Sequence, residues 1–503
     1  MQTSSTPTTA SGGARTSASD MAVLRWLVGA TFIVILNETI MINAVPDLTH
    51  HFHVSTRSAA WLTTAFMLTM AVVIPITGWF LQRVTTRQAF GLAMTVFCTG
   101  TLLAAATPPS MFWLLIVARV IQASGTAVMM PLLMTTLMNV VPESDRGRVM
   151  GNVTLAMSVA PALGPAVSGL ILNTLSWRWM FLLVLPVAAT IGIAGLRKLT
   201  NVGEPTAGSI DALSVVLSAV GFGGLVYGLS LIGDDAAVVS PGILVTLGVA
   251  VLGLFVARQL MLQRQDKPLL DLRAFTHRTF ALSLLLMAIA FMVFLSVLFL
   301  LPQFLQNARH LSTLNTGLLM MPGGLAMGLL GPRVGKIYDK VGGRPLVIPG
   351  SIAILVAVVL FTRIGLDTPY AVIVALHVVM MVGLAMVFTP VFTLGLGALP
   401  QNLYSHGSSL LGALQQVAGA AGAAVSVAVL SARKDHLIAT GASFEKAFTG
   451  GMERSFMVGA AFALVVVAIA FVLPGRLPAP SEDTWEQHDA ASDPDAVIDP
   501  VGA

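Results

Sequence analysis

The sequence predicts an all-α polytopic membrane protein with fourteen transmembrane helices. Three observations predict it. Charged residues make up only 10% of the 503 residues, against about 25% in an average soluble protein. The mean hydropathy is +0.86. The chain also divides into fourteen apolar runs near the length of about 20 residues that a helix needs to cross the hydrocarbon core. The runs are long and continuous rather than alternating, which argues against strands. So few charges cannot cover a soluble fold of this size. An ordinary cytosolic enzyme and a disordered protein are excluded. A nucleic-acid partner is excluded too, because the net charge is only +4 and the pI of 9.5 reflects a few basic loop residues.

The first twenty residues are rich in Ser, Thr, Ala and Gly, with a single cation, Arg15. They lack the apolar stretch and cleavage site of a signal peptide, so 1–20 reads as a disordered cytoplasmic N-terminus and the run from Met21 as a retained first span. Spans are expected at 21–45, 59–81, 88–106, 111–139, 148–173, 177–196, 211–232, 242–262, 279–305, 314–331, 345–362, 370–398, 407–431 and 455–473. The seventh is Gly-rich and the tenth is short. The lone cysteine, Cys98, lies inside an apolar run, which excludes a disulfide framework and a cysteine metal cluster. From 478 to 503 the chain is acidic, with Glu482, Asp483, Glu486, Asp489, Asp493, Asp495 and Asp499 among Pro and Ala. This reads as a disordered cytoplasmic tail.

An even number of spans places both termini on one side. With the termini inside, the inner segments hold 18 Lys and Arg and the outer ones 8. That asymmetry predicts cytoplasmic termini. Four of the eight outer cations fall in one segment, 432–454.

Two segments resemble each other. Gly78-Trp79-Phe80-Leu81-Gln82-Arg83-Val84-Thr85-Thr86-Arg87 follows the second span. Gly335-Lys336-Ile337-Tyr338-Asp339-Lys340-Val341-Gly342-Gly343-Arg344 follows the tenth, 257 residues later. The repeat predicts two related six-helix bundles, 21–198 and 275–475, with an inserted helix pair at 211–262. Parallel repeats of this kind are a transporter architecture. A Gly permits a tight turn at a helix end, and the acid and cations can bond neighbouring helix ends. Gly78, Gln82, Arg83, Arg87, Gly335, Asp339, Lys340, Gly342 and Arg344 are therefore candidate gating residues on the cytoplasmic loops.

Ionisable residues within spans are costly and mark function. Glu38 lies in the first span and Arg119 in the fourth. Both sit roughly 11 to 12 Å from the outer ends of their helices at 1.5 Å per residue. A carboxylate near a cation at that depth is a candidate proton-coupling or cation-binding group. A structural ion pair between the two spans is the alternative. Gln122 follows Arg119 on the same helix face, and Asn37 and Asn43 flank Glu38. His377, Gln415 and Gln416 also fall within spans as candidate lining residues. His377 is expected to be either a second titrating group or a hydrogen-bonded structural histidine. The cluster His50-His51-Phe52-His53 lacks a fourth ligand, and no metal site is expected. In the fifth span Ala160, Gly164 and Ser168 form a small-xxx-small stripe suited to close helix packing. Pro161 and Pro165 there predict a kink.

These segments resemble the major facilitator superfamily, and within it the fourteen-helix drug:proton antiporters of the EmrB/QacA type. Leu36-Asn37-Glu38-Thr39-Ile40 with Asn43-Ala44-Val45-Pro46, and Pro75-Ile76-Thr77-Gly78 with Gln82-Arg83, are similar to the lincomycin-resistance exporter group. Arg119-Val120-Ile121-Gln122-Ala123-Ser124-Gly125 resembles the family's fourth-helix motif, in which the Arg is linked to proton transfer. The run with Pro161, Gly164, Pro165 and Gly169 is similar to its antiporter motif. The chain departs from the family at Gln82, where Asp is usual, and at Ala160 and Ser168, where Gly is common. Glu38 stands where many members have Asp.

The resemblance implies the major facilitator fold and proton-coupled export of hydrophobic or cationic drugs across a bacterial plasma membrane. The expected partners are small-molecule drugs, protons and membrane lipids, with no cofactor, no nucleic acid and a monomeric state. Export of a dedicated metabolite, or import on the same fold, is the alternative. The sequence has no HExxH, GxSxG or P-loop, so an enzyme is not expected.

Overall fold

A computed structural model describes residues 18–476, except 43–44, 203–204, 207, 234–238 and 266. The acidic tail, the start of the chain and Asn43 lie outside the described residues. Among those described there are fifteen α-helices and no strand. The first group comprises α1 (Ala18–Ile42), the short α2 (Val45–Phe52), α3 (Thr56–Leu81), α4 (Thr86–Ala105), α5 (Phe112–Val140), α6 (Glu143–Thr174) and α7 (Trp179–Lys198). Then come α8 (Ala212–Ser230) and α9 (Pro241–Gln263). The last group is α10 (Arg278–Gln303), α11 (Thr313–Val341), α12 (Arg344–Phe361), α13 (Tyr370–Gly397), α14 (Tyr404–Ala439) and α15 (Phe444–Val472).

Fourteen of the helices are long, and thirteen carry an uninterrupted apolar stretch of spanning length. The other is α6, whose first turns hold Glu143, Asp145, Arg146 and Arg148. Contacts sort the long helices into two sets. In the first, α1 packs on α5, α6 and α7, α3 on α5, and α4 on α5 and α7. In the second, α10 packs on α13, α14 and α15, α12 on α13 and α15, and α11 on α13. The sets meet along α6–α11, α3–α14, α5–α14 and α6–α13. The inserted helices pack on each other, and α8 also touches both α3 and α14, with the Trp61 and Tyr227 rings tilted at 5.5 Å between centroids.

Several helices run past their expected ends. α11 continues ten residues beyond 331, so Gly335, Asp339 and Lys340 stand on its last turns, not on a loop. Gly342 caps that helix at φ +83°, a conformation glycine adopts without a Cβ penalty. α14 continues through Arg433 and Lys434, and α15 starts at Phe444, so the expected outer segment 432–454 is mostly helical. The helices alternate in direction, so the Gly78–Arg87 and Gly335–Arg344 segments lie at one end of the bundle, called here the motif end.

The inserted pair is anchored at the motif end by a polar cluster. Asp211 caps α8 by accepting from Ser214 N (2.9 Å) and Ser214 Oγ (2.6 Å). It also takes both arms of Arg258 on α9, at 2.9 and 3.2 Å. The buried Gln259 donates to Ser214 Oγ at 2.8 Å and accepts from Leu269 N at 2.8 Å. The Arg258 bonds, with those of Ser214, hold the Asp211 carboxyl down at about 2. That lies below the unfolded value of about 3.9. The pairing therefore stabilises the fold above the unfolded value, and the contribution is lost as pH falls through about 2. In acid unfolding of the purified protein, Asp211→Asn is expected to flatten the stability loss between about pH 4 and pH 2. An unchanged profile would count against it.

Candidate functional site

The site is built on α1 and α5. Arg119, 1% exposed, is the largest fully buried side chain among the described residues. Its guanidinium donates from Nε to the Leu62 carbonyl (3.3 Å) and from Nη1 to Asn37 Oδ1 (3.3 Å) and Gln122 Oε1 (2.9 Å). The Phe66 ring lies 4.1 Å below it. Gln122 passes the network on by donating to Thr101 Oγ1 at 2.8 Å. A buried cation demands such acceptors, because an unpaired one costs several kcal/mol.

The Glu38 carboxylate makes no direct bond to Arg119. Arg119 instead bonds Asn37, the residue before Glu38. The ion-pair alternative is therefore not what the structure forms. Glu38 is half-buried and keeps accessible surface near the end of α1 opposite the motif end, whereas Arg119 is sealed. Asn37 Nδ2 is buried without a hydrogen-bond partner, a donor directly beside the carboxylate-bearing residue. Arg119→Lys keeps the charge but loses the fork. It is expected to lower unfolding stability by about 2–3 kcal/mol, measured by thermal denaturation.

The fifth-span stripe on α6 packs on α1 and α7. A Cβ at Gly164 would overlap Thr39 Oγ1, which donates to the Ala160 carbonyl at 3.4 Å. Ser168 Oγ contacts Met180 Sδ on α7 at 3.8 Å. Gly164 thus lets α6 lie against α1 one residue from Glu38. Pro161 sits inside the continuous helix, a Cβ on Gly169 would meet Leu314 of α11 at 3.7 Å, and Pro165 is a helical position whose side chain lies outside the described ones.

Elsewhere the structure brings the two sets together at the motif end. Asp339 on α11 accepts from Gly147 N and Arg148 N in the opening turns of α6, both at 2.8 Å. Gln82 donates to the Asn402 carbonyl at 3.0 Å, and Gln401 to Asn139 at 3.0 Å. Thr135 pairs with Ser408, and Thr154 with Thr389, each at 2.9 Å. These hydrogen bonds between the two helix sets all fall in the motif half. The seam is closed there. The cations of the second repeat do not cross it. Arg344 donates to the Phe471 carbonyl at the end of α15, and Lys340 offers its carbonyl to Arg476. Gly78 lies against His406 and Ser409 of α14, Arg83 Nη1 donates to Gln82 at 2.7 Å, and Arg87 N donates to Asn201.

The remaining candidates are not brought to this site. His377 is 2% exposed, yet neither ring nitrogen has a hydrogen-bond partner. The expectation of a hydrogen-bonded histidine is corrected. The ring packs on Gly323 of α11. Gln415 and Gln416 are half-buried on α14. His51 packs edge-on against Phe52 and Trp177. The Leu62 carbonyl, Thr101 and Phe66 were not singled out from sequence. Gly100, where a Cβ would crowd Gln122, was the available signal for Thr101.

Two bundles joined at one end by a repeated helix-end motif are matched by a family model. It is described as the Major Facilitator Superfamily and spans residues 27–423. The chain belongs to the Major Facilitator Superfamily. This facilitator is 39% identical over 450 residues to the MFS-type transporter YcnB of Bacillus subtilis, covering 89% of this chain and 93% of that one. It is 39% identical over 444 residues to a protein of Listeria monocytogenes named lincomycin resistance protein LmrB, covering 87% and 93%. Among solved structures, the proton:xylose symporter XylE superposes with a TM-score of 0.64 at 14% identity, over 91% of this chain and 97% of that one. That likeness shows the fold alone. This facilitator is a multi-pass membrane transporter and not an enzyme.

Proposed function

We propose that this transporter exports hydrophobic and cationic drugs in exchange for protons across a bacterial plasma membrane, with both termini and the motif end in the cytoplasm. One observation carries the reading: Glu38 is a membrane-embedded carboxylate, still accessible, on the helix turn whose Asn37 bonds the sealed Arg119. On this reading the structure is the state closed to the cytoplasm. A proton arriving from outside neutralises Glu38 and weakens its hold on a cationic drug, which leaves outward. Deprotonation after the halves rock restores the carboxylate for the next drug. Arg119 stays charged throughout and sets the field in which Glu38 exchanges its proton. Drug and proton thus compete for one carboxylate, so each lowers the affinity for the other. The relative named lincomycin resistance protein supports export and makes lincomycin a natural first compound.

The test is a drug-susceptibility panel in an efflux-deficient bacterium, with lincomycin and lipophilic cations, repeated with a protonophore. Raised resistance that collapses with the protonophore is expected. Resistance indifferent to the proton gradient, or drug accumulation above the empty host, would refute the reading.

A further inference from the structure

At the motif end a cavity of about 730 Å³ lies where α3 and α5 meet α14, on the seam between the two halves. Its wall draws on both: Arg83 and Asn139 from the first half, Asn402 and His406 from the second. The segments flanking the inserted pair complete it, through Thr206 ahead of α8 and Asp271 ahead of α10. Thr206 is strapped down by donating its N (2.7 Å) and Oγ1 (3.1 Å) to the Gln82 carbonyl.

Two side chains of this wall carry a buried nitrogen without a partner. The half-buried Arg83 guanidinium lies 4.9 Å from the Trp79 ring and bonds Gln82, but its buried Nε has no acceptor. No carboxylate among the described residues pairs with it. Burial also holds its pKa below the ordinary arginine range, as expected of a cation that lacks a counter-ion. His406 is 3% exposed, and its Nδ1 is unpartnered against Gly78. The acid in the wall is already committed. Asp271 accepts from Gln263 Nε2 and Arg273 N, both at 2.9 Å, and pairs with Arg273 Nε at 3.4 Å. An unpaired, partly desolvated guanidinium is costly, and its planar fork matches phosphate oxygens. Leu81, Val84 and Leu132 give the same cavity an apolar side.

We propose that this cavity binds a phosphate-type anion between Arg83 of one half and His406 of the other, and that its occupancy holds the motif-end seam shut. A ligand touching both halves has more partners when they are together. It shifts the equilibrium toward closure by that difference in affinity. The phosphate comes either from an anionic lipid headgroup in the adjoining leaflet or from a free anion in the aqueous phase.

The test uses the full-length protein in neutral maltoside micelles, with a fluorophore pair placed across the seam to report closure. One arm titrates inorganic phosphate, and the other adds phosphatidylglycerol to the micelles. At least one probe is expected to increase the closed fraction and the unfolding temperature. Arg83→Gln and His406→Asn are each expected to weaken that response about tenfold, the loss of one charge-assisted contact. A response to phosphate assigns the site to a free anion, and a response to the lipid alone assigns it to a headgroup. Should Arg83→Gln fail to fold, Arg83→Lys, which keeps charge without the fork, gives the intermediate response. If neither probe moves the wild-type protein, or the variants respond as it does, the proposal is wrong. Neither readout involves transport, so the outcome is separable from proton-coupled export.

Discussion

Glu38→Gln is expected to reduce proton-driven drug efflux to the level of cells without the transporter. The substitution keeps side-chain volume and a hydrogen-bonding head, so α1 should still pack on α6 through Thr39 and Gly164. The Arg119 shell should also survive, because its bonds go to Leu62, Asn37 and Gln122 and none depends on the carboxylate. What disappears is the ability to exist in a charged and a neutral form. A permanently neutral residue 38 mimics the protonated state, so cationic drugs should bind poorly while neutral drugs still bind. In everted vesicles, adding drug should no longer dissipate the pH gradient. Glu38→Asp, which keeps the charge on a shorter stem, should retain part of the exchange. Undiminished drug–proton exchange in Glu38→Gln would remove Glu38 from the coupling mechanism.

The spans were legible because hydrophobic length is a strong signal, and the charges at Glu38 and Arg119 stood out against it. Helix ends were less legible for a physical reason. α14 has 36 residues, roughly 54 Å at 1.5 Å per residue, well beyond the hydrocarbon core. Its last turns carry Arg433, Lys434 and Asp435, which hydropathy reads as loop although the backbone stays helical. The partners of the site residues were hidden in another way. Arg119 bonds a backbone carbonyl at Leu62, and Asp339 bonds backbone N–H groups at Gly147 and Arg148. Every residue has such groups, so no residue type marks them. The glycines opposite carried the only trace, as gaps in side-chain volume where two backbones meet.

Those gaps make Gly335→Ala the sharpest test of closure at the motif end. A Cβ at Gly335 would overlap the carbonyl oxygen of Gly147, and one at Gly147 would overlap Asp339 Oδ1. One α-turn deeper, Gly151 and Gly331 face each other in the same way. The obstruction is backbone, so it cannot rotate aside as a side chain would. The helices must separate, which pulls Asp339 away from the two N–H groups it holds at 2.8 Å. Overpacking of this kind costs about 1–3 kcal/mol, and losing charge-assisted bonds adds about 1.5–3 kcal/mol. Both penalties fall on the closed state alone, because the opened seam gives the methyl group room. A combined loss near 3 kcal/mol shifts the closed-to-open ratio by roughly a hundredfold. Since Cys98 is the lone cysteine, a Cys98→Ser background with Ser405→Cys gives a single reporter beside the seam. Gly335→Ala should raise its alkylation rate steeply and depress efflux while leaving unfolding within each bundle intact. Asp339→Asn should act in the same direction with a smaller effect, since it loses charge without adding bulk. An alkylation rate unchanged by both would mean that the α6–α11 contact does not control closure.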